Sequence, residues 1–374
     1  MTTRHVCRLA VPLLAAWTAG LLGGCGTPYR PPVVVRDSTP FPGVAAIVAA
    51  HGARPVDLIL VHGMCTQEPG WAKRSIARIA DALSSHAATA NAASTSMPPA
   101  SAGGIEVVER SQRIGGGTLH YHALLWSPLT ADLKRQLDYD HTGQPTDCAG
   151  DQVCKPVRAV LNGSIKDRLL NDCLADAVIY QGASHDAIRD AMVETVSRIV
   201  AANPDPDGTL VVVAESLGSK MLFDALASML ESKQPRTQAL GRLAARRLGL
   251  VYMAGNQLPI LGLAEQDLVA RAMPAQDALQ RFLELRRRQP AQRAERLQRL
   301  ALVAFTDPND LLSYRLLPAR YAAPDVAVAD VLVSNARTWL GLIENPVAAH
   351  LDYLANPAVG ELIACGFPRV ARCK

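Results

Sequence analysis

A surplus of charge of either sign is missing from this sequence. Lysine and arginine number 38 against 34 aspartates and glutamates, a formal net charge of +4. Arg4 and Arg8 fall in an N-terminal segment expected to be removed, which leaves 4 − 2 = +2. So even a balance gives no electrostatic reason to expect a nucleic-acid partner. Aromatic residues are scarce, at 5%. No Cys-x-x-Cys pair occurs, which argues against a zinc ribbon and against a thioredoxin-type redox site. The most apolar run, residues 9–22, is too short and too glycine-punctuated at its end for a convincing membrane span. No internal repeat and no second autonomous domain stand out. What is present is bulk: 374 residues, 49% of them hydrophobic, enough for one large domain with insertions.

The chain is organised around residues 209–220, Thr-Leu-Val-Val-Val-Ala-Glu-Ser-Leu-Gly-Ser-Lys. A β-branched run predicts a buried strand, and the amphipathic run 221–226 predicts a helix. Between them Ser216 sits in the pattern Ala214-x-Ser216-x-Gly218. Small residues two before and two after the serine are needed where strand and helix pass close together. A second apolar run, 56–61, ends in His62-Gly63-Met64 and predicts a central parallel strand. Further apolar runs at 248–254, 300–306 and 326–334 predict more strands, and 105–114 with 118–126 predict two strands joined across Gly115-Gly116-Gly117. Residues 88–104 read as a loop, 184–202 as an amphipathic helix, 345–353 as a loop and 358–365 as a closing helix.

The strand–serine–helix stretch resembles the nucleophile elbow of the α/β-hydrolases, and His62-Gly63 resembles their oxyanion strand. The resemblance covers about residues 56–362. It implies an α/β fold: a mostly parallel central sheet with helices on both faces. Helical insertions at about 127–178 and 255–298 lie outside the resemblance. It implies Ser216 as nucleophile, with Met64 and Leu217 donating backbone N–H groups to an oxyanion. Its chain order then asks for an acid and a histidine. His350 is the only histidine C-terminal to Ser216. The acid is Asp310, with Asp307 as the alternative, since both follow the 300–306 strand. Serine needs an imidazole to take its proton, and the imidazole needs a carboxylate to fix its tautomer. His62 reads as a structural residue of its turn. His120 and His122 share a strand face, but no third ligand is evident. No metal and no cofactor is expected.

The N-terminus adds a compartment. Arg4 and Arg8, the apolar run and Leu22-Gly23-Gly24-Cys25 resemble a bacterial lipobox, which implies residues 1–24 as signal peptide and acylation of Cys25. Gly26, rather than aspartate, follows the cysteine and points to the outer membrane. Residues 25–50 read as the acylated cysteine and a proline-rich extended tether ahead of a domain at 51–374. Six further cysteines suit disulfides in an exported chain. Cys148–Cys154 and Cys365–Cys373 close local loops, and elimination leaves Cys65–Cys173. The expected activity is cleavage of ester or lipid-like substrates by a membrane-anchored serine hydrolase facing the periplasm. The alternative is an inactive envelope lipoprotein that binds a partner or anionic lipid through the arginine-rich second insertion (Arg281, Arg286, Arg287, Arg288, Arg293 and Arg296).

Overall fold

In the computed structural model the chain is described at residues 26–86, 94–96, 100–143, 145–146, 148, 154–267, 275–289, 299–369 and 373. The signal segment and Cys25 lie outside the described residues, as do Arg293 and Arg296. The strands, in chain order, are Val33–Val34 (β1), Phe41–Pro42 (β2), Pro55–Val61 (β3), Ser94–Ser96 (β4), Ala100–Ala102 (β5), Ile105–Ile114 (β6), Gly117–Leu125 (β7), Thr209–Glu215 (β8), Leu248–Ala254 (β9), Leu300–Thr306 (β10), Val326–Leu332 (β11) and Gly366–Phe367 (β12).

The fold is α/β. Ten strands form one sheet in the order β1-β11-β10-β9-β8-β3-β7-β6-β4, with β5 also on β6. From β11 through β7 every pairing is parallel. The edges, β1 on β11 and β6 on β7, are antiparallel. The central strands are apolar on both faces because both are covered. Leu210, Val212 and Ala214 of β8 face one core layer, under the helices His185–Ala202, Leu217–Glu231, Pro235–Arg247 and Ala278–Arg287. Val211 and Val213 face the other, under the helices Val44–His51, Pro69–His86 and Pro357–Cys365. The chain leaves β3 toward β7 and later returns to β8 on the other side of β3. The crevice at such a switch point opens between the carboxyl ends of the two strands, here at Gly63 and Ser216.

Several expectations need correction. Residues 26–50 are not a free tether. Val33 and Val34 pair with Leu332 and Val331, Phe41 and Pro42 pair with β12, and Val44 and Val48 of the following helix are fully buried. Apolar residues among the prolines find partners far along the chain, which a local reading treats as a spacer. The stretch 88–104 supplies β4 and β5 on the outer edge of β6. Residues 346–351 form a short helix, because Asn345 accepts from the N–H groups of Val347 and Ala348 and Pro346 takes the first helical position.

The described part of the second insertion, residues 255–267 and 275–289, packs against the body. Its helix Ala278–Arg287 is the crossover between β9 and β10 and packs on Leu217–Glu231, with the Phe282 and Phe223 ring centroids 5.6 Å apart. Asp277 and Gln280 form a reciprocal capping box at its start. Among the described residues its arginines have carboxylate partners, Arg286 in the interior and Arg281, Arg287 and Arg288 at the surface. Arg286 is fully buried, donates to the Ala245 carbonyl and pairs with Asp325. Arg287 pairs with Asp325, Arg288 with Glu284 and Arg281 with Glu231.

Candidate active site

Ser216 follows β8 directly and precedes the helix Leu217–Glu231. Its backbone has φ 52° and ψ −125°, a conformation that a non-glycine residue adopts only under constraint from its surroundings. The constraint is visible: the Ser216 N–H donates to the Ala254 carbonyl at 2.7 Å, tying the turn to the end of β9. The close approach at the elbow explains its small residues. A Cβ on Gly218 would stand 2.6 Å from the His62 carbonyl oxygen, and one on Gly63 would stand 2.5 Å from Ser216 Cβ.

Ser216, His350 and Asp310, far apart in the chain, are brought into one hydrogen-bonded line. His350 Nε2 lies 3.1 Å from Ser216 Oγ, and His350 Nδ1 lies 2.9 Å from both carboxylate oxygens of Asp310. All are buried: Ser216 is 4% exposed, Asp310 4% and His350 5%. Asp310 also accepts from the Leu312 N–H at 3.0 Å and from the Tyr353 hydroxyl at 2.9 Å. Burial and the Asp310 charge push the Tyr353 phenol well above its usual pKa, so it remains a donor. The Tyr353 oxygen in turn accepts from the Asp307 N–H at 2.9 Å. Gly255, at φ 64°, backs the cluster; a side chain there would meet Tyr353, Asp310 and His350. Tyr353 and Gly255 lie outside the serine, acid and histidine pattern of the sequence. A tyrosine three residues past the histidine, within one turn, was the available signal for the first.

Asp307 does not reach His350. Its carboxylate accepts from the Asn335 N–H at 2.6 Å and the Asn309 N–H at 2.9 Å, so it braces the loops after β10 and β11. His62 is likewise structural. Its Nε2 accepts from the Trp126 N–H at 3.0 Å, which leaves the proton on Nδ1 to donate to the Gly63 carbonyl at 2.7 Å. The ring stacks on Trp126, and burial pushes its pKa down to about 3, so it stays neutral. Because a trans peptide holds C=O and N–H on opposite sides, pinning the Gly63 oxygen directs the Met64 N–H the other way. Leu217 is the first residue of the elbow helix, where N–H groups lack intrahelical acceptors.

The loop after β3 is held from below. Cys65, at φ 79°, is disulfide-bonded to Cys173, and its N–H donates to Asp176 at 2.8 Å. Lys134 bridges Asp172 and Asp176. Disulfides also join Cys148 to Cys154 and Cys365 to Cys373. Among the described residues three potential metal donors converge only at Cys65, Asp172 and Cys173, where the disulfide occupies both sulfurs. His122 is taken up by Asp57 and Glu109, and His120 by Ser111.

A pocket of about 220 Å³ opens over Ser216 and His350, walled by Met64, Trp71, Arg74, Arg78, Glu215 and Asp352. Glu215 accepts from the Trp71 indole N–H at 3.0 Å. Desolvation pushes its pKa up to about 7, only partly opposed by Trp71 and Arg78. A raised carboxyl pKa favours folding while the group is protonated, and that stability is lost as pH rises from the unfolded value, about 4.5, through about 7. Glu215→Gln is therefore expected to flatten the decline in melting temperature across that window, measured by thermal unfolding at stepped pH. An unchanged slope would show that Glu215 does not carry it.

The chain matches no known family model and no curated protein.

Proposed function

We propose that the chain is a lipid-anchored serine hydrolase of the α/β-hydrolase type that cleaves carboxylic esters. One observation carries the reading: the buried line Ser216–His350–Asp310 at the carboxyl edge of a parallel sheet, at its switch point. In this reading His350 Nε2 takes the hydroxyl proton as Ser216 Oγ attacks the ester carbonyl. Asp310 holds the Nδ1 proton and stabilises the imidazolium. The Met64 and Leu217 N–H groups receive the oxyanion. The alcohol leaves with the proton from His350, and water, activated by the same imidazole, releases the acid from Ser216. Side chains and backbone N–H groups carry every proton and charge in the scheme.

The pocket volume, about 220 Å³, suits a short acyl or alcohol group better than a long chain. Residues 1–24 are proposed as a signal peptide and Cys25 as the acylated residue, which places the enzyme on the outer membrane facing the periplasm. The test of the reaction is a pre-steady-state assay with p-nitrophenyl acetate. A burst of p-nitrophenol stoichiometric with protein, followed by slower turnover, is expected of an acyl-enzyme. Folded protein that gives neither burst nor turnover would count against the reading.

A further inference from the structure

We infer that the turn Trp339–Ile343 enters a phospholipid bilayer immediately beside the point where the N-terminal segment joins the body, and so fixes the carboxyl edge of the sheet against the membrane. The inference rests on the membrane part of the function proposed above and not on its chemistry.

The turn is built to present apolar side chains. The Leu342 N–H donates to the Trp339 carbonyl at 2.9 Å, and the Trp339 N–H donates to the Ile343 carbonyl at 2.7 Å. Its central residues, Leu340 at φ 52° and Gly341 at φ 67°, both lie in the left-handed region. That is the geometry of a primed hairpin turn, where asparagine or glycine is the ordinary choice at both places. A leucine there is strained, and about half of it stays exposed. Trp339 is 64% exposed, Leu340 47%, Leu342 84% and Ile343 57%. An apolar cluster of this kind on a tight, hydrogen-bonded tip indicates an apolar partner outside the chain.

The N-terminus identifies the partner. Gly26, the residue after Cys25, forms a two-way bridge with Thr338: the Gly26 N–H donates to the Thr338 carbonyl at 3.1 Å and the Thr338 N–H to the Gly26 carbonyl at 2.9 Å. The Thr338 hydroxyl also donates to the Gly26 carbonyl at 3.0 Å. Arg30 donates to the Ser334 carbonyl at 3.1 Å, holding the same segment along the same loop. An acyl group on Cys25 would therefore be attached one residue before Gly26, whose partner Thr338 directly precedes Trp339. The bridge at Gly26 and the pairings of Val33, Val34, Phe41 and Pro42 hold the segment after Cys25 to the body. Trp339 has the amphipathic ring that settles at a headgroup boundary, and exposed Arg337 stands beside it for lipid phosphates. Stable anchoring generally combines two signals, and here the second sets orientation.

The base of the turn is rigid. Glu344 accepts from the Ala336 N–H at 3.1 Å and from Asn309 Nδ2 at 2.8 Å, and Asn345 then caps the helix that carries His350. The turn follows β11, so it shares the sheet's carboxyl edge with Ser216. On this inference the pocket opens on the membrane side of the molecule.

The test uses the full chain with vesicles of phosphatidylcholine and phosphatidylglycerol whose acyl chains carry bromine near the headgroups, a contact quencher of tryptophan. Trp17→Phe removes the one tryptophan of the leader from the signal. Trp71 and Trp126 are 9% and 0% exposed, so Trp339 is the remaining tryptophan able to reach lipid. Emission is expected to fall on brominated vesicles, Trp339→Phe to abolish the fall, and Leu342→Asp, at an exposed position that the fold does not use, to weaken it. Protein that fails to sediment with the vesicles would overturn the inference, as would sedimented protein whose emission bromine leaves unchanged. No step of the readout needs turnover, so a chain that proved inactive would leave the result standing.

Discussion

Ser216→Ala is expected to lower kcat on a soluble ester by about 10⁴- to 10⁶-fold. The size follows from the arrangement. Ser216 Oγ stands 3.1 Å from His350 Nε2, and without it no covalent intermediate forms. His350→Ala is expected to cost a similar amount, and the double variant no more than either single one, because the two act as one unit. The check is kcat for the three variants beside their thermal unfolding. Additive losses would show that Ser216 and His350 act separately. Full retention of turnover in Ser216→Ala would remove the nucleophile from the account.

The second large effect separates the two aspartates. Asp310→Asn should drop kcat by about 10⁴-fold with the fold retained. An amide nitrogen facing His350 Nδ1 would be a donor and would favour the tautomer with its proton on Nε2, unable to accept from serine. Asp307→Asn should behave differently. Its carboxylate receives the Asn335 and Asn309 N–H groups, and losing that brace costs about 1–3 kcal/mol of stability. Its kcat, measured well below its melting temperature, should stay within a few-fold of the wild type. Reversed behaviour of the two variants would exchange their roles.

The two aspartates also show where sequence reading stops. Both follow the same strand by a few residues, and only the path of the chain to His350, forty positions beyond Asp310, decides which carboxylate meets the imidazole. The elbow was legible because it is local: a β-branched run, a serine between small residues and an amphipathic run specify strand, turn and helix within a dozen positions. His350 was legible because no other histidine follows Ser216. The long-range pairings were not. Val33 opposite Leu332 and Phe41 opposite Phe367 turn an apparent tether into the sheet edge and its flank. Arg286 reads as a surface charge from its arginine neighbours, yet it is fully buried against the Ala245 carbonyl. Pattern assigns a face, but it cannot supply a partner forty residues away.

The most direct measurement of the central claim is labelling of the folded full chain, in detergent, with a fluorophosphonate, followed by mass spectrometric mapping of the adduct. An activated serine attacks this phosphorus, whereas an ordinary buried hydroxyl does not. The account predicts one modified residue, Ser216, with labelling lost in Ser216→Ala and strongly reduced in His350→Ala. Folded protein that stays unlabelled, or an adduct on another residue that persists in Ser216→Ala, would contradict it.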